Sequence, residues 1–122
     1  MDEIENLQKN YSFSFSTDRK LIPTTSGLYL IHSHDKLLYV READNLQRRL
    51  LGDHRFSNIK RSDFRKSLKR HEKLNSEEEI SKYIMKNCSF KFVEIEDKLR
   101  RKRLEHFAIA VLDPILNDLV ES

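Results

Sequence analysis

Gly27-Leu28-Tyr29-Leu30-Ile31-His32 and Lys36-Leu37-Leu38-Tyr39-Val40, separated by Ser33-His34-Asp35, decide how this chain is read. Both runs are rich in aliphatic and aromatic residues that suit a pleated, half-buried surface, and the three residues between them favour a turn. The stretch therefore predicts a β-hairpin. Pro23 and Thr24-Thr25-Ser26 mark the turn leading into it. Further upstream, residues 1–20 are polar with weak periodicity, but Tyr11, Phe13 and Phe15 alternate with serines. That pattern fits a short strand or an arm packed on the domain.

Working outward on the other side, Asp44 is placed to cap a helix running to about residue 52, with Leu46, Leu50 and Leu51 on its buried side. Ser62 caps a second helix, 63–73, on which Phe64, Leu68 and His71 share a face; His71 is expected to pack there. Ser76-Glu77-Glu78-Glu79 fits a capping box and opens a third helix with Ile80, Tyr83 and Ile84 as its apolar stripe. Cys88 to Ile95 alternates and reads as a third strand. Leu104, Phe107, Ala108, Val111 and Leu112 recur at helical spacing within 97–112, and Pro114 closes that helix. The order β-β-α-α-α-β-α predicts a small α+β domain: a three-stranded antiparallel sheet flanked by helices. Residues 1–25 form the arm and 26–122 the domain.

With 122 residues, 38% hydrophobic and 35% charged, the chain has room for one compact core. No apolar run is long enough to cross a membrane. The acidic start, Met1-Asp2-Glu3-Ile4-Glu5, does not resemble a signal peptide. Cys88 is the only cysteine, which excludes an internal disulfide framework and points to a reducing, cytoplasmic compartment. Cys88 itself reads as a small core residue. The five histidines show no metal-ligand spacing, which disfavours zinc.

The net charge of +3 hides an asymmetry. Between Arg55 and Lys73 eight Lys/Arg stand against Asp63 and Glu72. Lys98, Arg100, Arg101, Lys102 and Arg103 open the last helix, while acidic residues gather at 2–5 and 77–79. Charge separated in this way suggests a side that faces a polyanion. Ser57, Asn58, Ser62 and Ser67 are placed to add neutral phosphate contacts. There is no base-reading signature.

The hairpin carries a finer pattern. Ten residues after Tyr29 comes Tyr39, and ten after Tyr39 comes Arg49 on the next helix. Glu105 is followed by Pro114 and Asn117 at intervals of nine and twelve. Over residues 26–117 this resembles the GIY-YIG nuclease superfamily, in which two tyrosines stand on adjacent strands, an arginine follows on a helix, and a Glu…Pro…Asn series closes the domain. The resemblance implies a metal-dependent endonuclease, a hydrolase of phosphodiester bonds in DNA, with RNA left open. It implies Tyr29 as general base or water-orienting group, Tyr39 as its assistant or a phosphate contact, and Asn117 as support near the site.

The chemistry is consistent with those residue types. Phosphodiester hydrolysis needs a positioned water, a proton acceptor and neutralisation of charge on the phosphate. One carboxylate, Glu105, can hold a hard divalent ion, Mg²⁺ or Mn²⁺, with water completing the shell. Arg49 can grip a phosphate through two parallel hydrogen bonds. His54, just past the first helix, is a candidate to hold a phosphate or assist proton transfer. The other expected nucleic-acid contacts are Arg41, Arg48, Lys60, Arg61, Arg65, Lys69 and Asn117. His32 and His34 flank the turn and are expected to be exposed. The chain departs from the family at Arg41, which stands where the second motif has glycine. Arg41 either swings outward or clamps substrate, leaving an active nuclease, or fills the cleft, leaving a binding module on the same fold. A homodimer or a partner protein is compatible with a domain of this size.

Overall fold

A computed structural model describes residues 2–117, so the expected end of the domain at residue 122 lies outside the described residues. The elements run α1 (Asp2–Lys9), β1 (Phe13–Ser14), a 3₁₀ turn (Arg19–Leu21), β2 (Gly27–Ser33), β3 (Lys36–Ala43), α2 (Leu46–Arg48) continuing into a π-helical turn (Arg49–His54), α3 (Asp63–Glu72), α4 (Glu77–Asn87), β4 (Ser89–Glu94) and α5 (Lys98–Leu112). The architecture is α+β, as the sequence predicts, with one more strand than expected. The sheet is antiparallel, in the order β1-β4-β2-β3. The fourth strand is the two-residue β1, which pairs Phe13 and Ser14 with Phe90 and Ser89 on the free side of β4. The arm also supplies α1, which the sparse apolar content of residues 2–9 does not announce.

Both faces of the sheet are covered, which is why five consecutive residues of β2, Gly27 to Ile31, are buried. Tyr29, Ile31 and Tyr39 face one core with Leu46, Leu50 and Leu51, Phe64 and Leu68 of α3, and Ile80 and Ile84 of α4. Leu28, Leu30 and Val40 face the other, with Ile4 and Leu7 of α1 and Leu104 and Ala108 of α5. Burying each such aliphatic side chain contributes about 1.5–3 kcal/mol before the ordering entropy is subtracted. The expected apolar stripe of α5 divides: Leu104 and Ala108 are buried against the sheet, whereas Phe107 and Val111 point outward and stay exposed.

Gly27 is required by close approach. A Cβ there would lie 2.2 Å from the Val93 carbonyl oxygen and 2.8 Å from Leu46 Cδ1, distances that only displacement of backbone could relieve. The outer side of β3 is closed by residues 115–117 and by Glu105. Asn117 Oδ1 accepts from the Val40 N–H (3.0 Å) and its Nδ2 donates to the Val40 carbonyl (2.8 Å). The Leu116 N–H donates to the Leu38 carbonyl at 2.8 Å, and Glu105 Oε2 accepts from the Glu42 N–H at 3.0 Å.

The helix starts are set by side-chain caps. Ser62 and Ser76 accept from the amides of Arg65 and Glu79, as expected. For α2 the cap is Asn45, which accepts from the Arg48 N–H, and not the neighbouring Asp44. Asp44 instead accepts from Arg101 Nη2 at 2.8 Å. Cys88 is buried, with its thiol pushed up to about 12 by burial and by the nearby Glu72. Among the described residues no helix is long and apolar enough to cross a membrane.

Candidate active site

A cavity of about 280 Å³ opens where β2, β3, the π turn, the start of α3 and α5 meet. Tyr29, Tyr39, Arg41, Arg49, His54, Lys60, Arg61 and Glu105 all line it, together with Glu42, Asp63 and Lys102. The hairpin register explains the tyrosines. Tyr29 and Tyr39 lie on adjacent strands with rings 6.4 Å apart, both on the face that carries α2 and α3.

The π turn explains the histidine. A π-helix closes its hydrogen bonds on the fifth residue along, where an α-helix closes on the fourth. Arg49 and His54, five apart, are therefore brought to the same side and both reach the cavity. Asp53, four along from Arg49, pairs with its guanidinium at 3.1 Å. The spacing in sequence alone does not reveal this, because an α-helix would turn His54 away.

His54 is 2% exposed and sits between two hydroxyls. Its Nε2 is 2.6 Å from the Tyr29 hydroxyl and its Nδ1 is 2.6 Å from Ser62 Oγ. Burial, then the charges of Arg49 and Arg65, hold the imidazole well below its ordinary range, so it is neutral at pH 7. With one ring nitrogen bonded to Tyr29 and the other to Ser62, neither is left to contact a phosphate directly. The Tyr29 phenol is pushed well above its usual range by burial and by Tyr39, against the opposing pull of Arg49 and Arg41. Tyr39 is raised for the same first reason, against Arg41, whose Nε donates to its hydroxyl at 3.3 Å.

Arg41 points into the cavity. Its Nη1 stands 3.9 Å from Glu105 Oε2. Glu105 is 4% exposed and is held by the Glu42 amide at the sheet edge. Glu42 is occupied by Arg101 at 2.7 Å and Lys102 at 2.9 Å. Burial raises its carboxyl, but the hydrogen bonds from Lys102 and Arg101 outweigh that and hold it below the usual range. Five cationic side chains line the cavity against three carboxylates, an excess that favours an anionic ligand. Among the described residues no cluster of three or more His, Cys, Asp or Glu could hold a metal. A single carboxylate with waters suits a hard ion of the Mg²⁺ or Mn²⁺ kind and does not suit zinc.

Lys60 and Arg61 reach the cavity from the turn before α3, not from the helix. Asn58 Oδ1 accepts from both of their amides, at 3.0 and 3.2 Å, which shapes that turn. Arg48 and Lys69 do not line the cavity; Arg48 is exposed and Lys69 half-buried. Several residues sit otherwise than expected. Arg65 is no phosphate contact: its guanidinium is fully buried and bonded to the His54 and Arg55 carbonyls, Glu77 and Ser81. Asn117 is buried on Val40 and is a clamp on the sheet edge. His71 is exposed beside Glu72 and packs in no core. Ser62 and Ser67 are likewise buried and not available to a phosphate. His34 is exposed at the turn, but His32 is half-buried and bonded to Ser12 at 2.8 Å. The motif singles out neither Glu42 nor Asp63, and the sequence offers Ser62 as a cap and a phosphate contact but not as the partner of His54.

The fold is similar to that of the GIY-YIG N-terminal endonuclease domain of UvrC from Thermotoga maritima, solved as a tyrosine-to-phenylalanine point mutant bound to its catalytic divalent cation. The TM-score is 0.55 at 16% identity, covering 84% of this chain and 93% of that one. At this identity the likeness is one of fold. No family sequence model and no curated protein matches the chain.

Proposed function

We propose that this chain, which has the fold of a GIY-YIG endonuclease domain, is a metal-dependent endonuclease that hydrolyses phosphodiester bonds in DNA. The observation that carries the reading is the convergence of Tyr29, Tyr39, Arg49 and Glu105 on one cationic cavity, from four separate parts of the chain. Arg49 grips the scissile phosphate with donors that Asp53 leaves over. Lys60 and Arg61 neutralise neighbouring phosphates from the rim. Tyr29, once its own proton has left to solvent in the cavity, orients the attacking water and takes its proton, and Tyr39 holds a phosphate oxygen. His54 acts through Tyr29 and is a positioning residue. Glu105 holds the divalent ion, which when bound neutralises charge building on the phosphate and leaving oxygen. The cationic surroundings that favour a Tyr29 phenolate, Arg49 and Arg41, already oppose the burial that raises its pKa.

A second reading, a nucleic-acid-binding protein without cleavage, is favoured by one observation. Arg41 lies 3.9 Å from Glu105, on the carboxylate the ion needs. Supercoiled, linear and branched DNA, and RNA as a comparison, incubated with Mg²⁺, Mn²⁺ or EDTA beside Glu105→Ala, separates the two. The nuclease reading expects metal-dependent nicking that falls by at least about 10²-fold in Glu105→Ala. Tight, salt-dependent binding with no nicking in any metal would sink it and leave the binding module.

A further inference from the structure

We infer that Ser62 locks His54 as the Nε2–H tautomer, so that His54 donates a hydrogen bond to the Tyr29 oxygen and does not receive the Tyr29 proton. The inference deepens the proposed function, on which its meaning for catalysis rests.

The number of protons around Ser62 Oγ fixes the direction of each bond. Ser62 is 1% exposed, and its Oγ has two partners: the Arg65 N–H at 3.0 Å and His54 Nδ1 at 2.6 Å. The amide can only donate. The hydroxyl proton of Ser62 therefore has one acceptor, Nδ1, which must be unprotonated. A neutral imidazole then carries its single proton on Nε2. That nitrogen is 2.6 Å from the Tyr29 oxygen, which becomes an acceptor. The proton of Tyr29, a side chain itself only 1% exposed, then has no protein acceptor among the described residues and is left to the solvent of the cavity, which Tyr29 lines and Ser62 does not.

The reverse arrangement, Tyr29 to Nε2 and Nδ1–H to Ser62, would give Ser62 Oγ two incoming donors and leave its own buried proton without an acceptor. Buried donors are rarely left so. The imidazolium has the same fault, and the nearby Arg49 and Arg65 charges disfavour it further. A hydrogen bond donated to a phenol oxygen favours the phenolate. Tyr29 can then lose its own proton only to solvent in the cavity, and the phenolate left behind, held by the Nε2–H donor, accepts a proton from the cavity side while His54 stores none. Sequence position makes this possible: the residue that caps α3 is also the residue behind the histidine that the π turn brings round.

The test is nuclear magnetic resonance of the full chain with ¹⁵N-labelled histidine, without metal or DNA, using long-range ¹H–¹⁵N correlation and His54→Gln for assignment. Wild type should show His54 protonated at Nε2 and bare at Nδ1. Ser62→Gly, a residue tolerated at a helix N-cap, should mix the tautomers severalfold, and Ser62→Thr should restore the single form. A proton on Nδ1 in the wild type overturns the inference, as does one tautomer unchanged in Ser62→Gly. If Ser62→Gly fails to fold, the wild-type spectrum still decides. A chain with the Nε2–H tautomer that cuts nothing sinks the nuclease reading and not this one. A chain that cuts with Nδ1 protonated does the opposite.

Discussion

Two arginines, sixteen residues apart, mark two regions with opposite uses of the same side chain. Arg65, on α3, is fully buried against the start of α4, and its guanidinium makes six hydrogen bonds to the protein. Arg49 lies in the cavity wall, its side chain 40% exposed, with Asp53 as its ion-pair partner. A guanidinium has five N–H donors in a fixed fork. Where the protein saturates the fork, as at Arg65, the residue is a strut. Where it leaves donors facing a cavity, the residue can receive a phosphate. Charge in a sequence says nothing about this difference; the supply of carbonyls around the guanidinium decides it.

Substitutions can break or sharpen that contrast. Arg49→Ala should reduce cleavage by about 10²–10³-fold, comparable to removing one preorganised transition-state donor, while the urea midpoint stays near that of wild type. A large loss of stability would show that Arg49 is a strut as well. Arg65→Ala should do the reverse, lowering the unfolding free energy by about 3 kcal/mol, because several buried carbonyls lose their donor. Denaturant unfolding measures this, and DNA affinity of the folded fraction should be unchanged. Arg41→Gln, which removes a cation beside Glu105 and keeps a polar side chain, should raise Mn²⁺ affinity on the order of tenfold, as expected for removing one partly screened like charge. Calorimetric titration with no nucleic acid present reads it, and an unchanged affinity would place the ion elsewhere. Arg48→Ala, exposed and outside the cavity, should change stability by less than about 0.5 kcal/mol and cleavage hardly at all; a loss like that of Arg49→Ala would exchange the two roles.

What was legible in the sequence follows from which physical signals are local. Alternation and turn residues reveal the β2–β3 hairpin, and hydroxyls before an apolar run reveal the caps at Ser62 and Ser76. The long-range spacing of Tyr29, Tyr39, Arg49 and Glu105 is a fold-level pattern, and the structure gathers those four in one cavity. Three features were not legible. The helix α1 buries only Ile4 and Leu7, too few to show a period. The π turn inserts one residue into a helix with no sequence mark, so the facing of His54 could not be read from its distance to Arg49. The burial of Arg65 depends on carbonyls from the end of the π turn and a carboxylate on α4, which one helix's pattern does not contain.

The closed outer side of β3 has a consequence for assembly. An uncovered edge strand is a template on which another chain can continue the sheet, and growth of that kind leads to swapped dimers and fibrils. Here Asn117 occupies the Val40 positions where an incoming strand would bond, and Glu105 occupies the Glu42 amide. The carboxylate proposed to hold the ion is thus also part of the stopper. A protein truncated before residue 114 would lose most of that stopper at once, and polymerisation rather than simple unfolding is the failure to look for in it.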